Sequence, residues 1–364
     1  MNRQATNRYL PDYAVAPGEV LDEYLESVGM KQAELADRLG YSKKTINEII
    51  AGKARITPEC ALKLERVFGR PASFWNNLES QFQDDRVRLR EAEQFAEDAA
   101  WLKRVPYREM VKLGFVEPAE DVGGRLDVVL RFFGVASPAQ WRTIWERHQV
   151  AYRQSQRFEA NAEAVSAWLR QGELQAQQVP CGEFDKQRFR AVLEELRALT
   201  LAEPQDFVPD IVKRCAEVGV AVVFVPELPR TRVSGATRWV GGRPIIQLSL
   251  RYKTNDHLWF TFFHEAGHIL KHGRKLVFLE GKGMDGEQEE EANAFARDLL
   301  IPQRDWRRFL AAGDFSLASI RDFAARVGIA AGIVVGRLQH EQLISHAVGN
   351  GLKVKYEWAI PDAE

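Results

Sequence analysis

The chain has 364 residues, enough for roughly two or three domains. Its 50 Lys and Arg against 51 Asp and Glu leave a net charge of −1, which excludes a globally basic nucleic-acid wrapper but not a local basic face. The apolar run Val218 to Val225 has strand length, and no apolar signal core opens the chain. Cys60, Cys181 and Cys215 lie far apart with no CxxC, which excludes a disulfide framework and a cysteine-based zinc site. The expectation is a cytoplasmic, multidomain protein with no membrane contact.

Residues 1–16 read as a loose arm. From Pro17 to about Leu78, short helical patterns alternate with turns at Gly29, Gly40, Gly52 and Gly69. Residues 80–104 contain no Gly or Pro and place Phe95, Ala99 and Leu102 on one face, which predicts a connecting helix whose DDRVRLRE run is its solvated side. From Pro106 to about Thr200 the pattern stays helical and Trp-rich, with Ser137-Pro138 supplying an N-cap and a proline at the first helical position. This middle stretch shows no cluster of chemistry-bearing residues, and no activity is assigned to it. After Pro204 the texture changes. GVAVVFV (219–225) suits a buried strand, and Gly235 to Val240, Gly241-Gly242 and Pro244 to Leu248 predict a hairpin. Helices follow over Asp256 to His272 and Glu287 to Leu300, helix returns from Ser316, and a short strand is expected over Leu352 to Trp358. The chain thus divides into 1–79, a helical linker or middle domain over 80–200, and 201–364. The fold class is multidomain and mainly α: an N-terminal helical bundle, a helical middle region, and a C-terminal α+β module with a small sheet.

In the first segment, Val20, Leu21, Tyr24 and Leu25 form the inner face of one helix, and Leu35, Ala36 and Leu39 that of a two-turn second helix. Small Ala36 lets the third helix cross closely, and Gly40 permits the sharp turn between them. Ser42 caps the third helix, Ile46, Ile49 and Ile50 face inward, and Lys43, Lys44, Thr45 and Asn47 stand near its start, mostly outward. That is where a recognition helix presents side chains to base edges. From Lys31 to Arg55 there are six cations and three acids, and Lys53 and Arg55 are placed for phosphate contact. Most lysine-rich helix faces merely solvate a surface; the short second helix, the Ala and Gly spacing and the capped third helix together favour DNA binding. PGEVLDEYLE, LADRLGYSKKTINEIIAGKARIT and ALKLERVFG with PASFWNNL resemble the helix-turn-helix domain of HigA-type antitoxins in the XRE repressor family, a resemblance that stops near residue 80. It implies operator DNA as a partner, a homodimer, and Lys43, Lys44, Thr45 and Asn47 as base readers.

The sharpest motif is His264-Glu265-Ala266-Gly267-His268. Histidines at i and i+4 lie one turn apart on one helical face, where both imidazoles reach a single Zn²⁺. Glu265 sits about 100° around the helix, beside the ion, in the position of a general base toward water. Gly267 costs roughly 1 kcal/mol of helix propensity, which a close approach by a neighbouring element would explain. A catalytic zinc needs a third protein ligand. His272 lies about 12 Å of helix rise from His264, too far to share the ion with both others. The acidic run Glu287, Glu289, Glu290 and Glu291 is the better source. Such a run ordinarily solvates a helix N-terminus, but EANAFARDLLIP is apolar enough that one face must pack inward.

GVAVVFV, PIIQLSL, FTFFHEAGHILKH and EQEEEANAFARDLLIP together resemble the ImmA/IrrE family of metallopeptidases over roughly residues 205–340. The resemblance implies a zincin-like fold with His264 and His268 as zinc ligands, Glu265 as catalytic base and Glu289 as third ligand, Glu290 being the runner-up. Asn293, one turn beyond Glu289, would back a ligand. PIIQLSL, if at the sheet edge, would hold an extended peptide by backbone pairing. His257, His340, His346 and Tyr252 each qualify as the oxyanion-stabilising group, and each is more ordinarily structural or solvent-exposed. The tail repeats the offsets of Ala36, Gly40 and Ile46 at Ala324, Gly328 and Val334, without basic readers; it is expected to be a packing module or a platform for a protein substrate.

The leading reading is a DNA-binding regulator with zinc metalloendopeptidase activity that cleaves a repressor- or antitoxin-like protein, or itself within residues 70–110, in a stress response. The alternative is a non-proteolytic antitoxin and autorepressor with a toxin partner. A third reading is a metal or stress sensor whose zinc site gates DNA affinity.

Overall fold

A computed structural model describes residues 13–152, 161–272, 278–279 and 286–358. Most of the arm expected over 1–16 lies outside these residues. The chain separates into two compact units, Met1–Asp98 and Ala99–Glu364.

In the first unit, α1 (Pro17–Val28), α2 (Gln32–Leu39), α3 (Lys43–Ile50) and α4 (Pro58–Phe68) close around Leu21, Leu25, Leu35, Ala36, Leu39, Ile46, Ile49 and Trp75. Gly40 takes a left-handed φ of 68° between α2 and α3, and the Ser42 hydroxyl caps α3 by accepting from Thr45 N at 3.1 Å. A Cβ at Gly18 would stand 2.1 Å from the Ile49 carbonyl oxygen, so α1 crosses the end of α3 with backbone nearly touching backbone. The long α5 (Ala72–Leu102) begins earlier than the connecting helix expected from 80–104, and the boundary between the units falls within it. The solvated side expected of DDRVRLRE is only partly so: Asp85 is buried and accepts from Gln81 Nε2. Phe95 lies in α5, and its side chain is outside the described set.

The second unit begins with α6 (Tyr107–Lys112), α7 (Val122–Phe133), α8 (Pro138–Tyr152), α9 (Ala162–Gln178), α10 (Lys186–Leu196) and α11 (Pro204–Glu217). Strands β1 (Ala221–Phe224), β2 (Gly235–Val240) and β3 (Arg243–Leu248) follow, then α12 (Asn255–Lys271), the two-residue β4 (Phe278–Leu279) and α13 (Glu287–Leu300). The chain continues through α14 (Gln303–Ala312), α15 (Leu317–Val327) and α16 (Ala331–His340). The sheet order is β1-β3-β2-β4, with β1 parallel to β3 and the other pairs antiparallel. Gly241 and Gly242, both at positive φ, close the β2–β3 hairpin.

Both faces of β1 are covered, which is why its sequence is continuously apolar. Val222, with Ile246 and Leu248 of β3, joins a core with Phe262, Phe263 and Ala266 of α12. Ala221 and Val223, with Ile245, join a second core with Trp101, Trp141, Trp168 and Leu169. The Trp-rich helices therefore seal the face of the sheet opposite α12. Trp168 Nε1 donates to Val225 O at 3.0 Å and Gln247 Nε2 to Trp168 O at 2.6 Å. Two expectations change here. PIIQLSL forms β3, which runs between β1 and β2, so its backbone is committed on both sides and cannot pair with a peptide. Leu352 to Trp358 forms no strand; only Lys355 makes an isolated bridge, to Thr254. The three cysteines are free thiols.

Candidate metal centre

Helix α12 is buried over nearly its whole length, including His264, Glu265 and His268. A helix this apolar holds a polar motif in the core only if its polar atoms find partners there. Gly267 shows how. A Cβ at that position would lie 3.2 Å from Ala292 Cα and 3.1 Å from Phe295 Cδ1, so α13 passes against bare helix backbone. The close crossing brings Glu289, one turn before Ala292 and Asn293, onto the two imidazoles.

The donor atoms converge. His264 Nε2 and His268 Nε2 are 2.9 Å apart, and Glu289 places Oε2 3.2 Å from the first and Oε1 3.4 Å from the second. Among the described residues, these three form the one His/Cys/Asp/Glu group with ligand atoms gathered within 4.8 Å. Tetrahedral zinc with bonds of about 2.0–2.1 Å separates its ligand atoms by about 3.3 Å, so the spacing fits such an ion. The charge state fits too. Burial pushes His268 down to about 4 against a smaller opposing pull from Glu289, leaving a neutral imidazole at neutral pH. Burial alone would raise the Glu289 carboxyl, but the His264 and His268 imidazoles facing it outweigh that and hold the group at about 2.

The other expected residues fall as follows. Asn293 Oδ1 lies 2.9 Å from His264 Nδ1. Glu290 turns away and pairs with Arg297 at 2.6 Å. Glu265 is fully buried on the sheet side of α12, where Gly235 makes room: a Cβ there would come within 2.7 Å of Glu265 Oε1. Thr237 Oγ1 donates to the Glu265 carbonyl at 2.9 Å, fixing this turn against β2. His272, too far along α12 to join the other two imidazoles, instead places Nδ1 3.0 Å from His268 Nδ1. Sequence spacing ruled it out of the ligand set and gave no sign of this contact.

A cleft of about 620 Å³ opens beside the cluster, with His264, Glu289 and Asn293 in its wall and Phe260, Leu300, Ile301 and Ile333 supplying apolar surface. Tyr252, His257, His340 and His346 all line it as well. Tyr252 stacks on His257 with ring centroids 4.3 Å apart. The sequence could not show that loops and helices as distant as 252 and 346 share one cleft.

In the first unit, Lys43, Lys44, Asn47, Lys53 and Arg55 are exposed, and the first four line one shallow concavity. Thr45 is half-buried, its hydroxyl 2.9 Å from that of the capping Ser42, and Lys44 lies 3.8 Å from Glu48. No helix among the described residues is long and apolar enough to cross a membrane.

Comparison with known proteins follows the two units. The chain is similar to virulence-associated protein I of Dichelobacter nodosus, 40% identical over 70 residues, 19% of this chain and 65% of the relative. It is also similar to an uncharacterized HTH-type transcriptional regulator of Haemophilus influenzae, 38% identical over 65 residues, 18% of this chain and 61% of the relative. It therefore spans less than two-thirds of the length of these two relatives. The solved Pseudomonas aeruginosa antitoxin HigA with the higBA promoter is 32% identical, covering 22% of this chain and 90% of that one, with a TM-score of 0.22. The helix-turn-helix family model matches residues 21–75, and the IrrE N-terminal-like domain model matches residues 215–339. The chain accordingly carries a helix-turn-helix segment toward its N-terminal end and an IrrE N-terminal-like segment toward its C-terminal end.

Proposed function

We propose that this protein is a DNA-binding transcriptional regulator that also acts as a zinc metalloendopeptidase, cutting a repressor- or antitoxin-type protein, or its own residues 70–110, in a stress response. The reading assigns residues 1–79 to operator recognition, 80–200 to the helical linker and middle region, and 201–364 to proteolysis. The observation that carries it is the convergence of His264 Nε2, His268 Nε2 and the Glu289 carboxylate at zinc-ligand spacing, with Glu265 buried beside them.

His264, His268 and Glu289 would hold a zinc ion, which would supply Lewis acidity toward water and toward a peptide carbonyl. The chain's own residues do the rest. Glu265 takes the proton of the attacking water and delivers it to the leaving amine. Burial keeps that carboxylate out of bulk solvent, and Gly235 and Thr237 hold the turn that aims it. The cleft accepts the peptide, its apolar wall at Phe260, Leu300, Ile301 and Ile333 taking a bulky apolar side chain. In the N-terminal unit, Lys43, Lys44, Thr45 and Asn47 face base edges while Lys53 and Arg55 contact phosphates, in a homodimer on operator DNA.

The test compares protein fragments in cells carrying the wild-type chain or Glu265→Gln during DNA damage. Fragments present with wild type and missing with the variant identify the substrate. Identical fragment sets in both refute the peptidase reading. The second reading, a non-proteolytic antitoxin and autorepressor with a toxin partner, draws support from the resemblance of the N-terminal segments, up to about residue 80, to HigA-type antitoxins. It expects capture of a toxin by both chains and no zinc-dependent fragments in either.

A further inference from the structure

Three consecutive glutamates, Glu289 to Glu291, stand in the first two turns of α13, and each goes to a different partner. Glu289 faces His264 and His268, Glu290 pairs with Arg297, and Glu291 Oε2 lies 3.1 Å from His272 Nε2. Successive residues of a helix step by about 100°, so the three carboxylates leave the axis in three directions. Only the first reaches the metal centre directly. The third reaches it at one remove, because the other nitrogen of His272 meets His268 Nδ1 at 3.0 Å.

We infer that His272 and Glu291 form a positioning relay that fixes the proton on His268 and strengthens its hold on a metal ion, an assignment that rests on the zinc-centre reading. The chemistry of the donors sets its direction. A carboxylate only accepts, so the Glu291 end of the relay requires the proton of a neutral His272 on Nε2. His272 Nδ1 then carries a lone pair, and His268 Nδ1 must donate to it. That leaves the lone pair of His268 on Nε2, the atom that faces His264 and Glu289. The main-chain N–H of His272 donates to the His268 carbonyl at 3.0 Å, and its side chain is only 4% exposed, so backbone and packing both fix the ring.

The two ligand histidines are therefore backed differently. His264 Nδ1 meets a neutral amide oxygen of Asn293, whereas His268 Nδ1 meets an imidazole that leads to a charged carboxylate. An anion behind a ligand imidazole makes that imidazole a better donor. His268 is the ligand whose affinity the protein sets from the surface, through a carboxylate half exposed to solvent.

Zinc affinity of the full-length protein, measured by competition with a chromogenic chelator, tests the relay. His272→Phe fills the space but removes the acceptor, and is expected to weaken zinc binding about 10–100-fold. Glu291→Gln keeps an acceptor but removes the charge, and is expected to weaken binding less, about 3–10-fold. Glu290→Gln, which breaks only the pair with Arg297, is expected to leave affinity within about twofold of wild type. His272→Gln, whose amide can accept from His268 and donate to Glu291, should recover part of the loss. The metal-free variants should unfold at the wild-type temperature, which a packing role for His272 would not allow. Wild-type affinity in His272→Phe, or equal losses at positions 290 and 291, overturns the relay. A wild-type chain that binds no zinc overturns the metal-centre reading itself.

Discussion

The proposed DNA-reading face and the candidate metal centre use polar side chains in opposite ways. Lys43, Lys44, Asn47, Lys53 and Arg55 stand exposed on a small apolar bundle, while His264, Glu265 and His268 lie inside a core of Trp, Phe and Leu. An exposed lysine keeps its water whether or not it ever meets a phosphate, so its placement costs little and says little. Two buried imidazoles and two buried or half-buried carboxylates would be costly to fold around unless their atoms were satisfied. The second arrangement carries functional information in its own geometry. The first acquires meaning only with a partner in place.

That contrast is broken most decisively at Glu265. Glu265→Gln keeps the shape of the side chain and removes the proposed proton carrier, so cleavage should fall about 10²–10⁴-fold while zinc content and DNA affinity hold. Turnover of a substrate found by the fragment comparison, alongside metal analysis, checks it; unchanged turnover would mean the buried carboxylate is only structural. Acid should expose the cost of the buried cluster in the metal-free protein. His268 is held at about 4, against an ordinary value of 6.5, so the folded chain binds fewer protons than the unfolded one between those values. Stability is then fully present above about pH 6.5 and drains away as the pH falls toward 4, by on the order of 3 kcal/mol. Glu289, held at about 2 against 4.5, adds a loss of the same sign at lower pH. Thermal unfolding across that range measures both, and a flat profile would mean that His268 is not desolvated. Gly235→Ala should cost about 1–3 kcal/mol of stability, because the added methyl would stand 2.5 Å from Thr261 Cγ2 and 2.7 Å from Glu265 Oε1. The same change should slow cleavage by displacing the base. An alanine variant with wild-type stability and turnover would show that the turn is slack.

How far each region was legible in the sequence follows from the same contrast. Where burial and backbone geometry constrain residue choice, the pattern is readable: Gly40 at its left-handed turn, Ser42 at its cap, and the unbroken apolar run of GVAVVFV in a strand covered on both faces. Gly267 announced a close neighbour, and α13 is that neighbour. What escaped was tertiary. Nothing local in PIIQLSL distinguishes a central strand from an edge strand, because both are apolar; its position depends on GVAVVFV pairing beside it. The Trp-rich middle helices carried no sign that they would seal one face of the sheet. His272 was judged only by its distance along α12 as a ligand, and its role behind His268 depends on Glu291 arriving from another helix.

The smallest effects belong to the exposed face, and there the distinction lies within the face itself. If Asn47 reads a base edge as proposed, Asn47→Ala should cost about 1–3 kcal/mol on the operator and almost nothing on unrelated DNA. Lys53→Ala and Arg55→Ala remove exposed charges that the proposal sets against phosphates. Each should weaken binding to every sequence alike and lower the slope of log affinity against log salt by about 0.9. Titrations of operator and scrambled duplexes at several salt concentrations separate the two kinds of loss. Thr45→Ala tests the mixed case, because its hydroxyl already sits 2.9 Å from the Ser42 hydroxyl that caps α3. If Thr45 reads a base, the loss is confined to the operator; if it serves the cap, both duplexes suffer and thermal stability drops with them. A cap is worth about 1 kcal/mol, so the stability measurement alone can separate these two roles. An Asn47 variant that lost affinity for both duplexes equally would move sequence reading off α3 altogether.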